Sequence, residues 1–132
     1  MIRHRSFWYG AFVAWIGTLW WLSSGIRHLP QPDGWVGVDK LYHFGYFFGG
    51  AGLLAAAVSL TLPGGFWKRF AVVVAVVSLV GISDEVHQSF VPGRSGNDPF
   101  DFSADFLGAC AGFVVFESLR RRVFPDPEKV RA

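Results

Sequence analysis

The sequence predicts an all-α integral membrane protein, a four-helix bundle with both termini in the cytoplasm and short loops. Hydrophobic residues make up 52% of its 132 residues, and the mean hydropathy is +0.34. These values are too apolar for an ordinary soluble domain of this length. Four apolar segments are also long enough for the crossing, which takes about 20 helical residues. We therefore treat residues 1–132 as a single transmembrane domain.

The first predicted span covers residues 7–24. Arg3 and Arg5 precede this run and Ser23-Ser24-Gly25 ends it, features that a cleaved signal peptide also has. The run is longer than a usual signal core, and bulky tryptophans lie close to the cleavage-like site. Tryptophan favours the membrane interface, so we expect a retained anchor.

The other predicted spans cover residues 41–62, 67–90 and 102–119. Pro63-Gly64-Gly65 is a tight turn, so the second and third spans should be antiparallel neighbours. Small residues one helical turn apart, at Gly45/Gly49 and Gly108/Gly112, predict close helix contacts in lipid. Residues 123–132 are predicted to form a short cytoplasmic tail.

The distribution of basic residues predicts the orientation in the membrane. Counting Lys and Arg in the connecting segments places nine on one side and three on the other, out of 12. Basic residues favour the cytoplasmic side, so both termini are predicted to lie there. The three on the outer side are Arg27, Lys40 and Arg94. With a net charge of only +2, and basic residues spread between apolar runs, we expect no nucleic-acid partner.

Polar residues recur in three segments that the predicted topology brings to the outer side. They are Asp39, Lys40, His43 and Tyr46 at the second span; Asp84, Glu85, His87 and Gln88 at the end of the third; and Arg94, Asp101 and Asp105 before and within the fourth. Spacings of three and four residues place members of each set on one helix face. Ionisable groups near hydrocarbon normally face the bundle interior. We therefore expect an outward-facing polar cavity.

The residue types suggest roles in this cavity. The candidate catalytic residues are Asp84, Glu85, His87 and His43, which have the acid–base groups that proton transfer needs. The candidate substrate-binding residues are Arg94, Gln88, Asp39, Lys40, Tyr46, Asp101 and Asp105, among which the guanidinium suits a phosphate.

Structural roles remain open for several of these residues. Asp39 and Asp101 also suit helix starts, where a negative charge is favoured, and Lys40 suits snorkelling to the interface. Arg94 also suits a buried ion pair with Asp84 or Asp105. A purely structural polar network is therefore an alternative to a binding site.

No cofactor is predicted. His43, His87, Asp84 and Asp105 are the residues that would bind a metal ion if one were present, because imidazole and carboxylate groups suit zinc. No established metal-binding spacing occurs in the sequence.

Three polar segments resemble the VanZ family. These are Asp39-Lys40-Leu41-Tyr42-His43-Phe44, the segment from Asp84 to Arg94 (DEVHQSFVPGR), and Asp101-Phe102-Ser103-Ala104-Asp105-Phe106-Leu107-Gly108. The resemblance spans about residues 39–112, in order. It implies a multi-pass protein of the bacterial inner membrane, similar to the accessory protein associated with resistance to teicoplanin, a lipid-tailed glycopeptide. It implies a shared polar site but no established reaction.

Two functions are consistent with the sequence. The first is an enzyme that acts on a lipid or lipid-linked envelope precursor, by hydrolysis or group transfer at a phosphate or ester. The second is non-catalytic binding of a lipid headgroup or lipoglycopeptide. Transport by four short spans alone is less favoured. The sequence leaves the reaction, the ligand and the oligomeric state open.

Overall fold

A computed structural model describes residues 4–25, 37–94 and 96–124. Within these ranges the chain forms four helices and no strands, which confirms the all-α prediction. The helices are α1 (Arg5–Ser23), α2 (Val38–Ser59), α3 (Phe66–Ser89) and α4 (Pro99–Val123).

Three of these helices, α2, α3 and α4, are long and apolar enough to cross a membrane, judged by length and composition. Helix α1 has 19 residues, which corresponds to about 28 Å. It contains four tryptophans, which lower its mean hydropathy although they suit a membrane interface. Its length therefore matches a bilayer better than its hydropathy does.

Helices α2 and α4 each begin three residues earlier in the chain than the predicted spans. Helix α2 begins at Val38 instead of residue 41, after Gly37, whose φ of 87° favours glycine. Helix α4 begins at Pro99 instead of residue 102. Asp98 caps this helix by accepting a hydrogen bond from the Phe100 amide at 2.8 Å, and proline suits the first turn.

The C-terminal end of α4 lies at Val123, beyond the predicted residue 119. Three arginines occupy its last turn, where cations interact favourably with the helix dipole: Arg120, Arg121 and Arg122. The predicted cytoplasmic tail mostly lies outside the described residues, which end at Phe124.

One of the two predicted glycine pairs makes a helix contact. A Cβ atom at Gly108 would collide with the Phe44 backbone oxygen, and one at Gly112 with the Phe48 backbone oxygen. The glycines therefore allow α4 to pack closely on α2. Among the described residues Gly45 and Gly49 have no such neighbour within 4 Å, so the close helix contact predicted for that pair does not form there.

Helix α1 is attached to α2 by a reciprocal pair of hydrogen bonds. The Trp15 indole donates to the Tyr46 backbone oxygen at 3.1 Å, and the Tyr46 hydroxyl donates to the Trp15 backbone oxygen at 2.8 Å. Gly50 makes room for the Trp15 ring, because a Cβ there would collide with it. Phe12, Trp15 and Leu19 are all buried in the core. Helix α1 is therefore an integral part of the described bundle.

Charged groups occupy both ends of the bundle but in different arrangements. At one end, which we call the basic end, Glu117 of α4 binds Arg69 of α3 at 2.7 Å and Arg120 at 3.0 Å. The opposite end, which we call the polar end, is formed by the C-terminal ends of α1 and α3 and the N-terminal ends of α2 and α4. The candidate site lies at the polar end.

Candidate functional site

Lys40 is the centre of an ion-pair cluster that joins α2 to α4. Its ammonium group lies 2.5 Å from Asp101, 2.9 Å from Asp39 and 3.0 Å from Asp98. Two of these acids belong to the start of α4, so the cluster holds the two N-terminal helix ends together. Lys40 therefore does not simply extend to the interface, as the snorkelling alternative proposed.

The ammonium group also affects the acid–base behaviour of the loop before α4. It lowers the pKa of Asp98 through a hydrogen bond, and the Phe100 amide acts in the same direction. Asp98 is thus held in its charged form, in which it both caps α4 and binds Lys40.

His43 and Asp105 form a second interaction between α2 and α4. The His43 Nδ1 atom lies 2.9 Å from the Asp105 Oδ1 atom. Asp105 is only 1% exposed, and it lies against Gly81 of α3, where a Cβ would sit 3.1 Å from its Oδ2 atom. The imidazole is thus oriented by a buried carboxyl group. Its Nε2 atom lies 3.8 Å from Asp101.

A third group connects Asp84, Gln88 and Arg94 in a chain of hydrogen bonds. The Gln88 amide donates to Asp84 Oδ2 at 2.8 Å, and its oxygen accepts from the Arg94 Nε and Nη2 atoms at 3.1 and 2.5 Å. Asp84 and Gln88 are one helical turn apart on α3, so they share a face. The predicted ion pair of Arg94 with Asp84 or Asp105 is therefore wrong, because Gln88 binds Arg94 instead.

Asp84 has one oxygen that the described part of the chain leaves without a partner. The residue is 2% exposed, its Oδ2 atom is bound by Gln88, and its Oδ1 atom is buried without a hydrogen bond. Leaving a buried carboxylate oxygen unpaired costs about 1–3 kcal/mol or more. Such an atom requires an explanation, for which a ligand is one candidate.

His43 and the Asp84–Gln88–Arg94 group line a cavity of about 120 Å³ between α1, α2 and α3, whereas the Lys40 cluster and Asp105 do not line it. Its lining combines apolar, aromatic and polar side chains: Leu19, Leu22, Ser23, Tyr42, His43, Tyr46, Phe47, Asp84, Gln88 and Arg94. We call this space the cavity. A mostly apolar space with a few convergent polar groups is typical of a small-molecule site.

Sequence reasoning missed the contribution of α1 to the cavity. Leu19, Leu22 and Ser23 belong to a run that was interpreted only as a membrane span. No local signal distinguishes these residues from their neighbours, because their role depends on how α1 packs against α2 and α3.

Two predicted catalytic residues lie away from the cavity lining. The His87 ring stacks on Trp20 of α1 with centroids 4.6 Å apart, and its Nε2 atom lies 3.1 Å from the Ser24 hydroxyl. Glu85 is 5% exposed and accepts a hydrogen bond from the Asp98 amide at 2.9 Å. Glu85 therefore supports the start of α4, and His87 joins α3 to α1.

The residues predicted as metal ligands are not the set that comes together in the described chain. His43, Glu85 and Asp101 place one potential ligand atom each within 4.8 Å of one another. His87 stacks on Trp20 instead, so the predicted group of His43, His87, Asp84 and Asp105 is not assembled. Because Lys40 already supplies a cation to Asp101, ion pairing accounts for this part of the arrangement.

A helical bundle with three helices capable of crossing a bilayer, and with charged groups at both ends, defines a multi-pass membrane protein. The chain belongs to the VanZ/LLP1 family, which matches residues 5–120. The resemblance predicted from the polar segments is therefore confirmed, and the match extends over α1 as well. No curated protein and no solved structure matches the chain.

Proposed function

We propose that this protein of the bacterial cytoplasmic membrane binds the polar headgroup of a lipid or lipid-linked envelope precursor in the cavity. The observation that carries the proposal is the Asp84 Oδ1 atom, which is buried and unpaired beside a cavity that Arg94 also lines. A ligand with a donor for Asp84 and an anionic group for Arg94 would satisfy both residues.

The proposed topology has four spans and both termini in the cytoplasm. Contacts of α1 at both ends support its role as a span: Tyr9 lies 2.8 Å from Thr61 beyond α2, and Ser24 lies 3.1 Å from His87 of α3. Helix α1 therefore extends alongside its neighbours over their length. The basic residues support an orientation in which the polar end faces outward.

The chemistry of the cavity favours a ligand with a phosphate or carboxylate group. Among the described residues, no carboxylate lies within ion-pair distance of Arg94, which donates its hydrogen bonds to the neutral Gln88 side-chain amide. A guanidinium group binds such anions with two parallel hydrogen bonds. A hydroxyl or ammonium group on the same ligand would then donate to Asp84.

A lipid-tailed glycopeptide of the teicoplanin type belongs to the same broad ligand class, because it also combines a polar head with a hydrocarbon chain. We therefore include resistance to such antibiotics in the proposal, as a consequence of binding the antibiotic or the envelope lipid it meets.

The proposal is tested by mass spectrometry of the lipids that remain bound to the purified protein. We compare wild type with Arg94→Gln and Asp84→Asn, and with Arg121→Gln as a control that removes a positive charge at the basic end. Thermal unfolding of each variant confirms that it is folded. A lipid retained by wild type and Arg121→Gln, and depleted in both site variants, supports the proposal. Equal retention by folded Arg94→Gln contradicts it.

The His43–Asp105 pair favours a second candidate function, an enzyme acting on the same class of ligand. A buried carboxyl group orients the imidazole at 2.9 Å, and His43 also lines the cavity. This arrangement suits a general base, because one ring nitrogen is held while the other can exchange a proton. Hydrolysis or group transfer at a phosphate or ester would use such a base.

Incubation of the purified protein with envelope lipids, followed by mass spectrometry of the products, distinguishes the two functions. An enzyme forms a product that is lost in His43→Gln, whereas bound lipid remains in that variant. Wild type that retains a lipid without converting it supports binding alone.

A further inference from the structure

An apolar groove lies between α1 and α3 on the side of the bundle next to the cavity. Six residues line it, and we call it the furrow: Ile16, Trp20, Val76, Leu79, Val80 and Ser83. Its volume is about 350 Å³. Among these side chains, Leu79 is 61% exposed and Trp20 is 44% exposed, so hydrocarbon can reach the furrow from the side.

The furrow and the cavity are separate spaces that share no lining residue, but neighbouring residues of α1 and α3 line both. On α3, Ser83 lines the furrow and Asp84 lines the cavity; on α1, Trp20 lines the furrow and Leu19 lines the cavity. The furrow extends from Val76 to Ser83, which corresponds to about 10 Å along the helix. It thus runs from mid-helix toward the polar end, where a headgroup would enter the cavity.

The stacked Trp20 and His87 rings stand at the end of the furrow nearest the polar end. Tryptophan and histidine both have an apolar body and a polar edge, which suits the boundary between a hydrocarbon chain and its headgroup. His87 would then mark this boundary as well as join α3 to α1.

We propose that the furrow binds the hydrocarbon chain of the molecule whose headgroup occupies the cavity. The inference rests on the proposed function. It specifies the ligand as one amphiphilic molecule, whose hydrocarbon chain lies between α1 and α3 and whose anionic group binds Arg94. The position of the furrow beside the cavity, with its upper end toward the polar end, supports this occupant over a chain of unrelated bulk lipid.

The test uses two probes on the full-length protein in a non-ionic detergent. The first is dodecyl phosphate with a photoreactive diazirine in the middle of its chain, and the second is methyl phosphate, which has no chain to place. After illumination, peptide mass spectrometry locates the cross-links. Binding of methyl phosphate is measured separately by ³¹P NMR.

The central variant is Leu79→Trp, which fills the furrow. Leu107→Trp on α4 is its matched control, because Leu107 is 58% exposed and lines neither the furrow nor the cavity. In wild type and Leu107→Trp we expect cross-links within residues 76–83. In Leu79→Trp these cross-links should fall about tenfold, equivalent to about 1.4 kcal/mol of lost binding. Methyl phosphate binding should stay unchanged in both variants.

Arg94→Gln distinguishes a ligand whose headgroup is bound in the cavity from bulk lipid in the furrow. This variant should also remove the cross-links. Cross-links that persist in Arg94→Gln, or that survive unchanged in Leu79→Trp, overturn the furrow as the chain site. If wild type binds methyl phosphate but gives no cross-links within residues 76–83, the furrow inference fails and the proposed headgroup site stands. If wild type binds neither probe, a phosphate headgroup and the furrow are both refuted.

Discussion

Replacing Gly108 by alanine should destabilise the bundle, because α4 touches the α2 backbone at this position. A Cβ at Gly108 would collide with the Phe44 backbone oxygen, an atom that cannot rotate away as a flexible side chain can. The two helices must therefore separate locally. The variant tests whether this close approach holds the polar end together.

The magnitude follows from two opposing effects. Overpacking a core costs about 1–3 kcal/mol, and the upper end applies because the obstacle is backbone. Alanine in place of glycine in a helix stabilises the folded protein by about 1 kcal/mol through its higher helix propensity. The net loss for Gly108→Ala is therefore about 2 kcal/mol.

Gly49→Ala provides a matched control, because no neighbouring atom of residues 4–25, 37–94 or 96–124 lies within 4 Å of a Cβ at Gly49. This variant should gain up to about 1 kcal/mol from helix propensity alone. The two glycine-to-alanine changes should therefore differ by about 3 kcal/mol, or about a hundredfold in the unfolding equilibrium.

The assay is unfolding of the purified protein in mild detergent by added sodium dodecyl sulfate, followed by circular dichroism. We expect Gly108→Ala to unfold at a lower concentration than wild type, and Gly49→Ala at the same or a higher one. Separation of the helices should also move His43 from Asp105 and reduce lipid retention. Gly108→Ala as stable as Gly49→Ala would refute the reasoning.

Lys40→Met should destabilise the protein more at neutral pH than in acid, because it leaves the surrounding carboxylates without their cation. Lys40 lowers the pKa of Asp98 in the folded protein. The stability that this ion pair contributes is therefore fully present above the ordinary carboxyl pKa of about 3.9, and it is lost as the pH falls through the lowered pKa of Asp98. Thermal unfolding of wild type and Lys40→Met across this pH range measures the loss of stability at each pH. A loss of the same size at every pH contradicts the prediction. Glu117→Gln should cost about 1–3 kcal/mol, because the Arg69 side chain, 11% exposed, loses its charged partner while the amide oxygen can still accept a hydrogen bond. Tyr46→Phe should cost about 0.5–1.5 kcal/mol by removing the hydrogen bond to the Trp15 backbone, measured by the same detergent unfolding.

The helical class of the protein could be predicted from the sequence because hydropathy is a local property. The apolar runs that became α2, α3 and α4 are long enough to identify without knowing their neighbours. The positions of the helix ends were harder to predict. Asp98 moves the start of α4 by capping it, and this depends on one side-chain hydrogen bond.

The two glycine pairs illustrate what a spacing pattern leaves open. Both have the same four-residue separation, yet within the described part of the chain only Gly108 and Gly112 meet another helix. The rotation of each helix about its own axis decides which face is buried, and that rotation results from packing of the whole bundle. The spacing alone is the same in both cases.

For the candidate site, too, some features could be predicted from the sequence and others could not. The sequence by itself determined a membrane-embedded, helical chain with most basic residues toward one end and three polar segments toward the other, because these features follow from residue type and order. Only the tertiary structure decided that Gln88 stands between Asp84 and Arg94, that Asp105 orients His43, and that α1 lines the cavity. These pairings are set by helix rotation and by contacts between residues distant in the chain, for which the local sequence has no signal.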